Sequence, residues 1–503
     1  MTVGDVLTAL RAITTDATMV GRLAPDAAVL AITYDSRRAV AGSVFVALRG
    51  LKADGAEFAA QAAARGASLI VTEAARPEDV DTPWLIVSDA RLALALLADV
   101  FYDHPSRRMQ VIGVTGTNGK TTTGYLLASI LDAASSKAGL LGTVTYRLGA
   151  EEREASRTTP EAPDVQQLLD EMIRQGCQSA VMEVSSHALA LKRVDGMRFA
   201  AGVFTNLTRD HLDFHEDMET YFQAKRRLFE LLPEDAPGVI NLDDPRGPAL
   251  VDVPKQVVTF AIGQAADVMP SPVEFTLDGL SFDVRTPRGT VRVESRLVGR
   301  PNVYNILAAS ATAIAIGIPL DAIARGVKGL TGVPGRFEVV SAPGDEVTVV
   351  VDYAHTDDAL RNLLETARPL APKRLVTVFG CGGDRDATKR PLMGMVAARL
   401  SDLVVITSDN PRSEDPQRII EEIKRGIPAG GQGGRAPDVQ AIVDRREAIE
   451  RAVEQAEAGD LVLIAGKGHE KYQQIGDRVL PFDDGAVARQ ALERRRKRPA
   501  RTS

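Results

Sequence analysis

The sequence predicts an α/β protein of three domains whose sheets are mostly parallel. Short apolar runs rich in β-branched residues alternate with longer Ala- and Leu-rich stretches of helical period almost throughout the chain, which is the pattern of parallel α/β sheets. With 503 residues, the chain is too long for a single hydrophobic core. Polar boundaries divide it into the blocks 1–106, 107–335 and 336–503.

Composition and charge narrow the class of protein. With 45% hydrophobic and 25% charged residues, the chain resembles a globular enzyme and not a fibrous or disordered protein. The net charge of -7 argues against a nucleic-acid-binding surface. The basic cluster at 494–501 is interpreted as a solvated tail without a function. Two distant cysteines and the lack of a signal or membrane-spanning segment predict a cytoplasmic protein, by default a monomer.

In the first block, the apolar runs 43–48 and 67–71 are predicted strands. The central block opens with a predicted strand at 110–114 and continues into a helix, and it returns to a helix at 302–316. Between these helices, residues 273–294 alternate apolar and polar side chains around two turns that contain glycine. This alternation predicts hairpins attached to an otherwise parallel sheet.

The third block contains four apolar runs, each followed by a polar cluster. The predicted strands are 347–351, 375–379, 403–407 and 461–465. In open α/β sheets, ligands bind beyond the carboxyl ends of the strands. We therefore expect the four polar clusters to converge on one crevice.

A glycine-rich loop joins a predicted strand to a predicted helix in the central block. This order presents backbone N–H groups and a helix N-terminus to a phosphate, with Lys120 reaching the terminal phosphates and Thr121 placed for Mg²⁺. The loop departs from the strict Walker-A spacing, because Val114 stands where the first glycine is expected. The predicted phosphate-binding residues are Gly116, Thr117, Asn118, Gly119, Lys120, Thr121 and Thr122.

Two further segments of the central block follow predicted strands. Glu183 comes directly after an apolar run, where a carboxylate can bind a Mg²⁺ ion shared with the nucleotide, or can be a solvated or helix-capping glutamate. The segment 205–215 contains two of the six histidines, His211 and His215. Such a pair can bind a ligand or can be structural.

Together these motifs resemble the Mur ligases of peptidoglycan synthesis, in order and over nearly the whole chain. The segments that carry the resemblance are 116–122, 183–187, 210–213, Asn302, Asn305, Gly335, Arg336 and 352–355. The resemblance implies a UDP-substrate-binding domain at 1–106, a central ATP-binding P-loop domain at 107–335 and an amino-acid-binding, Rossmann-like domain at 336–503 that closes over ATP.

The resemblance also implies roles for individual residues. Lys225 matches a lysine that is carbamylated in this family and helps to hold a second Mg²⁺; without the resemblance it reads as an ordinary lysine on a helix surface. The implied catalytic residues are Lys120, Glu183, His211 and Lys225, and the implied Mg²⁺ ligands are Thr121, Glu183, His211 and Lys225. Further implied ATP contacts are Asn302, Asn305, Arg336, Asp352 and His355.

Residues 409–412 match the motif of family members that add meso-diaminopimelate, whereas lysine-adding members differ at the asparagine and the arginine. Diaminopimelate has an additional distal carboxylate, which a guanidinium can bind through two charge-assisted hydrogen bonds. Lysine offers Arg412 no such partner. The predicted diaminopimelate-binding residues are Arg385, Asp409, Asn410, Pro411, Arg412, Gly466 and Glu470.

The second implied substrate is UDP-N-acetylmuramoyl-L-alanyl-D-glutamate. Ser36 matches a uridine-binding residue, and the residues matched to the muramoyl-dipeptide contacts are Thr158, Thr159, Ser185 and Arg193. The chain departs from some relatives at Leu51, Lys52 and Leu191.

The implied activity is ATP-dependent amide formation through an acyl phosphate, with release of ADP and phosphate. Three alternatives remain at this point. A lysine-adding Mur ligase is opposed by Arg412. Folylpolyglutamate synthetase shares the acyl-phosphate chemistry, but it lacks the first block and residues 409–412. A P-loop switch that binds nucleotide without forming a bond would not need the pocket of the third block.

Overall fold

The structure of the protein is a computed structural model that describes residues 1–11, 18–20, 24–50, 54–78, 80–276, 278–428 and 437–497. Leu51 and Lys52, two of the predicted departures from the family, lie outside these ranges, as do Arg498 and Arg501 of the basic cluster. Among the described residues, none of the helices has both the length and the apolar character needed to cross a bilayer.

The first 108 residues contain a five-stranded sheet with the order β1-β5-β4-β3-β2. Strand β1 is antiparallel to its neighbour and the others are parallel. The predicted strands at 43–48 and 67–71 correspond to β3 and β4. The strands are β1 (Thr18–Val20), β2 (Ala31–Thr33), β3 (Ser43–Val46), β4 (Leu69–Thr72) and β5 (Trp84–Ile86). The helices are α1 (Val3–Arg11), α2 (Ala59–Ala64), α3 (Ala90–Phe101) and α4 (Pro105–Arg108).

The central region is built on an eight-stranded sheet with the order β13-β12-β11-β6-β10-β7-β8-β9. The strands from β13 to β7 run parallel. The antiparallel strands β8 and β9 extend one edge. The strands are β6 (Gln110–Thr115), β7 (Ala138–Leu141), β8 (Thr145–Leu148), β9 (Glu151–Glu154), β10 (Ser179–Glu183), β11 (Ala201–Phe204), β12 (Pro237–Asn241) and β13 (Gln256–Phe260).

Helices cover both faces of this sheet because its strands are apolar on both sides. Ile112 and Val114 of β6 belong to the core formed with α5 and α10, whereas Val111 belongs to the core formed with α6 and α9. The helices are α5 (Lys120–Ala133), α6 (Ala162–Arg174), α7 (Ser186–Ala190), α8 (Leu212–His215), α9 (Met218–Glu230), α10 (Arg300–Ala315) and α11 (Leu320–Gly329).

The predicted hairpins form, and their link to the parallel sheet is a parallel bridge between Phe260, at the end of β13, and Val268. Thr276 pairs with Gly279 and Thr286 pairs with Gly289 at the two turns, within a separate four-stranded antiparallel sheet. The apolar face of this sheet, which includes Phe282, packs into the same core as α10 and α11. Packing into this core therefore buries the apolar side chains of the antiparallel sheet. The strands are β14 (Met269–Pro270), β15 (Glu274–Thr276), β16 (Gly279–Thr286) and β17 (Gly289–Ser295).

The third region contains a six-stranded sheet with the order β18-β19-β23-β20-β21-β22, parallel except for β18, and a separate hairpin, β24-β25. The four predicted strands are neighbours in this sheet, so their carboxyl ends share one edge as predicted. The strands are β18 (Glu338–Val339), β19 (Thr348–Asp352), β20 (Leu375–Phe379), β21 (Leu403–Ile406), β22 (Asp438–Ala441), β23 (Leu461–Ala465), β24 (Tyr472–Ile475) and β25 (Arg478–Pro481).

The helices of this region are α12 (Asp357–Ala367), α13 (Lys389–Leu400), α14 (Pro416–Lys424), α15 (Arg445–Gln455) and α16 (Asp484–Arg496). The last turn of α16 contains Arg494, Arg495 and Arg496 of the basic cluster, so this part of the cluster is helical and ion-paired and is not a free tail. Arg494 lies 2.9 Å from Glu450 and Arg496 lies 2.6 Å from Asp345. These ion pairs join the end of α16 to the rest of the region.

Candidate active site

The glycine-rich loop lies between β6 and α5, at the carboxyl edge of the central sheet. Gly116 has φ +148° and Gly119 has φ +88°, values that favour glycine. A Cβ atom on Gly116 would lie 1.9 Å from Thr205 Oγ1, and one on Gly119 would lie 2.5 Å from Asn305 Oδ1. The loop therefore needs glycine at both positions, and it brings Asn305 of α10 to the predicted phosphate site.

Two residues after β11, Thr205 and Asn206, hold the loop in place. Asn206 accepts a hydrogen bond from Asn118 N at 2.9 Å through its side chain and one from Thr117 N at 2.9 Å through its carbonyl. Thr205 Oγ1 donates to Asn118 O at 2.7 Å. The sequence analysis places both residues in the polar segment 205–215 after a predicted strand but assigns them no supporting role. Because that strand, β11, lies next to β6, both strands end at one place.

Two lysines converge beneath the loop. Lys120 Nζ donates to Gly116 O and Thr117 O, both at 2.9 Å, and Lys225 Nζ donates to Gly116 O at 2.8 Å. Lys225 is 1% exposed and its ammonium lies 4.3 Å from the centre of the Tyr221 ring. It is therefore not the helix-surface lysine that its position in the sequence suggests. Burial, and then the charge of Lys120, hold the pKa of Lys225 well below its usual range.

Glu183 ends β10 beside the loop and is 1% exposed. Its carboxylate accepts hydrogen bonds from Thr143 N at 2.8 Å and Thr143 Oγ1 at 3.0 Å, which fix its orientation. Burial lowers the pKa of Lys120, and the negative charge of Glu183 opposes this shift. Within the described ranges, no group of three or more His, Cys, Asp or Glu side chains is arranged to hold a metal. The oriented carboxylate and the Thr121 hydroxyl fit Mg²⁺, which binds few protein oxygens and completes its shell with phosphate and water.

His211 begins the turn before α8 with φ +54° and lies in a cluster of aromatic rings. Its ring centre is 4.9 Å from that of His187 and 6.0 Å from that of Tyr221. Burial lowers the pKa of His211, which keeps the imidazole in the neutral form that binds metals. Its Nε2 atom lies 3.4 Å from Asp210 Oδ2. Asp210 also lies 4.0 Å from His355 Nε2 and so faces the third region.

The third region contacts the loop directly. Arg336 Nη2 donates to Thr121 Oγ1 at 3.1 Å, and Asn118 Nδ2 donates to Asp358 Oδ2 at 3.2 Å. Asp352 accepts hydrogen bonds from Phe337 N and Ala354 N, both at 2.7 Å. It thereby fixes the backbone next to Arg336 and next to His355. Asn302 joins the site through Asn305, whose Nδ2 donates to Asn302 Oδ1 at 2.9 Å.

Four of the five predicted UDP-substrate residues form one cluster. Thr159 Oγ1 lies 3.3 Å from Ser185 Oγ, and Arg193 Nη1 donates to Thr159 O at 3.0 Å. Thr158 Oγ1 lies 3.1 Å from Thr143 Oγ1, which connects this cluster to Glu183. The fifth residue, Ser36, lies apart in the first region, where its hydroxyl lies 2.6 Å from Gln61 Oε1.

The polar loops that follow the strands of the third sheet form a pocket with positively and negatively charged side chains. Arg412 Nη1 donates to Gly383 O at 2.8 Å, on the loop that carries Arg385. Gly466 has φ +117°, and a Cβ atom there would lie 2.8 Å from Asp409 Oδ2. The loops after β20, β21 and β23 therefore meet, as the shared sheet edge predicts.

Lys467 is a member of this pocket that the sequence did not reveal. Its side chain is fully buried, and its ammonium donates to Asn410 Oδ1 at 3.0 Å and to Glu470 Oε2 at 2.7 Å. Asn410 Nδ2 also donates to Glu470 Oε2 at 3.0 Å. The side chain of Asn410 is thus hydrogen-bonded to other protein groups, and its amide orients the carboxylate of Glu470. A lysine in a polar loop gives no sign in the sequence of such burial.

Comparisons with known proteins match this architecture. Family models match at 29–102 (Mur ligase family, catalytic domain), 114–313 (Mur ligase middle domain) and 335–468 (Mur ligase, glutamate ligase domain). The chain belongs to the Mur ligase family. Such enzymes are ATP-dependent amide ligases.

Several relatives of this Mur ligase carry one name, UDP-N-acetylmuramoyl-L-alanyl-D-glutamate--2,6-diaminopimelate ligase. One from Gloeobacter violaceus is 50% identical over 94% of this chain and 96% of its own length. One from Geobacillus kaustophilus is 47% identical over 93% of this chain and 95% of its own length.

Solved structures agree with the three-domain Mur ligase fold. A structure with the same ligase name has a TM-score of 0.68 and 34% identity, covering 99% of this chain and all of that one. A MurF ligase from Thermotoga maritima in complex with ADP has a TM-score of 0.61 and 19% identity, covering 93% of this chain and 99% of that one. The second likeness shows the fold alone.

Protonation of His215 in this Mur ligase should lower its free energy of unfolding. Burial, then the charges of His187 and Lys225, lower the pKa of His215 to about 4, against about 6.5 in an unfolded chain. The unfolded chain therefore binds this proton first, and stability present above about pH 6.5 is lost as the pH falls toward 4. In urea unfolding at pH 7.5 and 5.5, we expect the midpoint to fall further for the wild type than for His215→Gln. Equal falls would contradict this assignment.

Proposed function

We propose that this Mur ligase joins meso-diaminopimelate to UDP-N-acetylmuramoyl-L-alanyl-D-glutamate, with conversion of ATP to ADP and phosphate. The observation that carries the proposal is that the loops bearing Arg385, Arg412 and Glu470 meet at one sheet edge, where Arg412 donates to Gly383 O and Asn410 donates to Glu470. An amino acid with a distal carboxylate and a distal ammonium has a partner there for each charge. The names of the similar ligases support the same reaction.

The three regions suggest a division of the substrates. The first, 1–106, would bind the uridine end with Ser36, and the central region, 107–335, would bind ATP and the muramoyl-dipeptide. The third, 336–503, would bind the amino acid. The contact of Thr158 with Thr143, which in turn orients Glu183, supports a peptide site next to the phosphate loop.

In the first step, the D-glutamyl carboxylate attacks the γ-phosphate of ATP, and an acyl phosphate and ADP form. The backbone N–H groups of the loop and the start of α5 face the phosphates, and Lys120 exchanges its carbonyl partners for phosphate oxygens. Mg²⁺ held by Thr121, Glu183 and His211, together with a second Mg²⁺ that a carbamylated Lys225 would help to hold, would neutralise the charge of the phosphates. Asn302, Asn305, Arg336, Asp352 and His355 would hold the nucleotide between the two regions.

In the second step, the amine of diaminopimelate attacks the acyl carbon and phosphate leaves. The contribution of the protein is mainly position, because both reactants are held at the junction of the central and third regions. Contacts such as Arg336 with Thr121 bring these regions together and exclude water from the acyl phosphate. Since ATP and nucleotide-linked precursors are its substrates, we further propose that the enzyme acts in the cytoplasm, as a monomer.

The test is phosphate release in the presence of UDP-N-acetylmuramoyl-L-alanyl-D-glutamate, with meso-diaminopimelate and L-lysine compared side by side. The wild type should prefer diaminopimelate. Arg412→Ala should lower kcat/KM for diaminopimelate by about 10- to 100-fold, since a charge-assisted pair is lost, and should leave the low activity with lysine nearly unchanged.

Arg446→Ala is the matched control, because Arg446 is a surface arginine of the same region that lies 3.9 Å from Glu450. It should retain wild-type kinetics. A wild type that prefers lysine would make the lysine-adding alternative correct. An Arg412→Ala variant that retains full activity with diaminopimelate would show that Arg412 does not bind the distal carboxylate.

A further inference from the structure

The hairpin β24-β25 is bonded along its first strand to the specificity loop, which we define as residues 409–412. Four hydrogen bonds connect the two segments. Gln473 Nε2 donates to Asp409 O at 2.7 Å, Gln474 N to Asn410 Oδ1 at 2.9 Å, Arg412 N to Gln474 O at 3.2 Å and Gly476 N to Arg412 O at 2.7 Å. The hairpin is thus hydrogen-bonded to Asp409, Asn410 and Arg412 of the loop.

The conformation of the specificity loop explains why it needs such support. Arg412 has φ +51°, a left-handed conformation that is unfavourable for a residue with a side chain. Such a backbone persists where the surrounding structure imposes it. The two backbone hydrogen bonds between Arg412 and the hairpin do so, and they set the direction in which the guanidinium leaves the loop.

Only one side chain of the hairpin bonds to the backbone of this loop. Successive residues of a strand point to opposite faces, and Gln473 is 8% exposed whereas Gln474 is more exposed. Gln473 reaches Asp409 O with its side chain. Gln474 uses its backbone N–H, and its side chain lies 3.4 Å from Gly476 O within the hairpin itself.

We propose that Gln473 is a positioning residue for amino-acid specificity, which it controls by holding the backbone at Asp409 so that Arg412 faces the distal end of the amino acid. This inference rests on the proposed function, since it requires Arg412 to bind the distal carboxylate. Gln473 itself does not touch the substrate. Its removal therefore affects the binding of the amino acid and its selection over lysine, and it leaves the phosphate site intact.

The test compares Gln473→Met with Gln474→Met, two equal changes at adjacent positions. Gln473→Met keeps the volume of the side chain but leaves the buried Asp409 carbonyl without its donor. The expected result is a KM for meso-diaminopimelate about tenfold higher, with a similar loss of preference over lysine. The kcat and the KM values for ATP and UDP-N-acetylmuramoyl-L-alanyl-D-glutamate should stay within about twofold of the wild type. Gln474→Met, which keeps the backbone N–H, should match the wild type in all of these constants.

A second variant, Gln473→Glu, replaces the donor by an acceptor that repels the Asp409 carbonyl, and its KM should rise at least as far. The inference is overturned if Gln473→Met and Gln474→Met share the same KM for diaminopimelate, or if the loss is a uniform fall in kcat with both amino acids. A wild type that does not prefer diaminopimelate would instead overturn the proposed function, and this result is available before any variant is made.

Discussion

Replacing Lys225 with alanine should reduce turnover by about 10³-fold, and adding a short carboxylic acid such as acetate should restore part of it. We expect a reduction of this size because the variant loses a charged group at the phosphates, where electrostatic stabilisation is strong. Lys225 lies buried beneath the loop with its pKa held well below the usual range. A neutral amine is the form that adds CO₂, so this environment favours the proposed carbamate. The measurement is steady-state phosphate release with and without the acid.

Lys225→Met is the matched control for this rescue. Methionine fills the space of the lysine side chain and leaves no room for an added acid, so this variant should be as inactive as Lys225→Ala and should not recover. Equal activities of Lys225→Ala with and without acetate would count against the carbamate. An equal gain in both variants would show that the acid acts elsewhere.

Replacing Asp484 with alanine should lower the midpoint of thermal unfolding by roughly 6–20 °C. Asp484 and Arg445 are both 0% exposed, and the guanidinium binds the carboxylate through Nε at 2.8 Å and Nη2 at 2.6 Å. Removing the carboxylate leaves a buried cation without its counter-charge, which costs about 3–5 kcal/mol. For regions of this size, each kcal/mol shifts the midpoint by about 2–4 °C.

The double variant Arg445→Met/Asp484→Leu distinguishes the loss of a charge partner from the loss of packing. Because apolar residues of similar volume replace a buried ion pair at little cost, it should recover most of the lost stability. A fall of less than about 2 °C in Asp484→Ala would show that the carbonyls of Ser408 and Ala465, which also accept hydrogen bonds from Arg445, suffice for the guanidinium.

The strands of the third sheet could be predicted closely because they are buried on both faces. Such strands are continuous apolar runs, and β20 and β23 begin and end where the sequence predicts. The convergence of their polar loops followed from the parallel order of the sheet. The partners of the hairpins at 273–294 could not be predicted, because any apolar surface of the right size can cover a sheet with one apolar face.

The burial of Lys225 had a signal in the sequence that could have been used. Tyr221 lies four residues earlier and Phe222 three residues earlier in α9, so all three share one face of the helix. Two aromatic residues on that face indicate that it is buried. The contacts of Lys467 and Gln473 had no such signal, since each depends on the approach of segments about sixty residues apart.

Separate loops meet at one edge of the third sheet. The residues proposed to select the amino acid are therefore different from the residues that stabilise the fold. The side chains proposed to distinguish one amino acid from another stand on loops, while the buried strands beneath them contribute the core. New amino-acid preferences are therefore accessible by varying residues 382–386, 409–412 and 466–470 together with Gln473. Such a library would leave the strands of the sheet unchanged, and the phosphate loop would continue to activate the same carboxylate for each new acceptor.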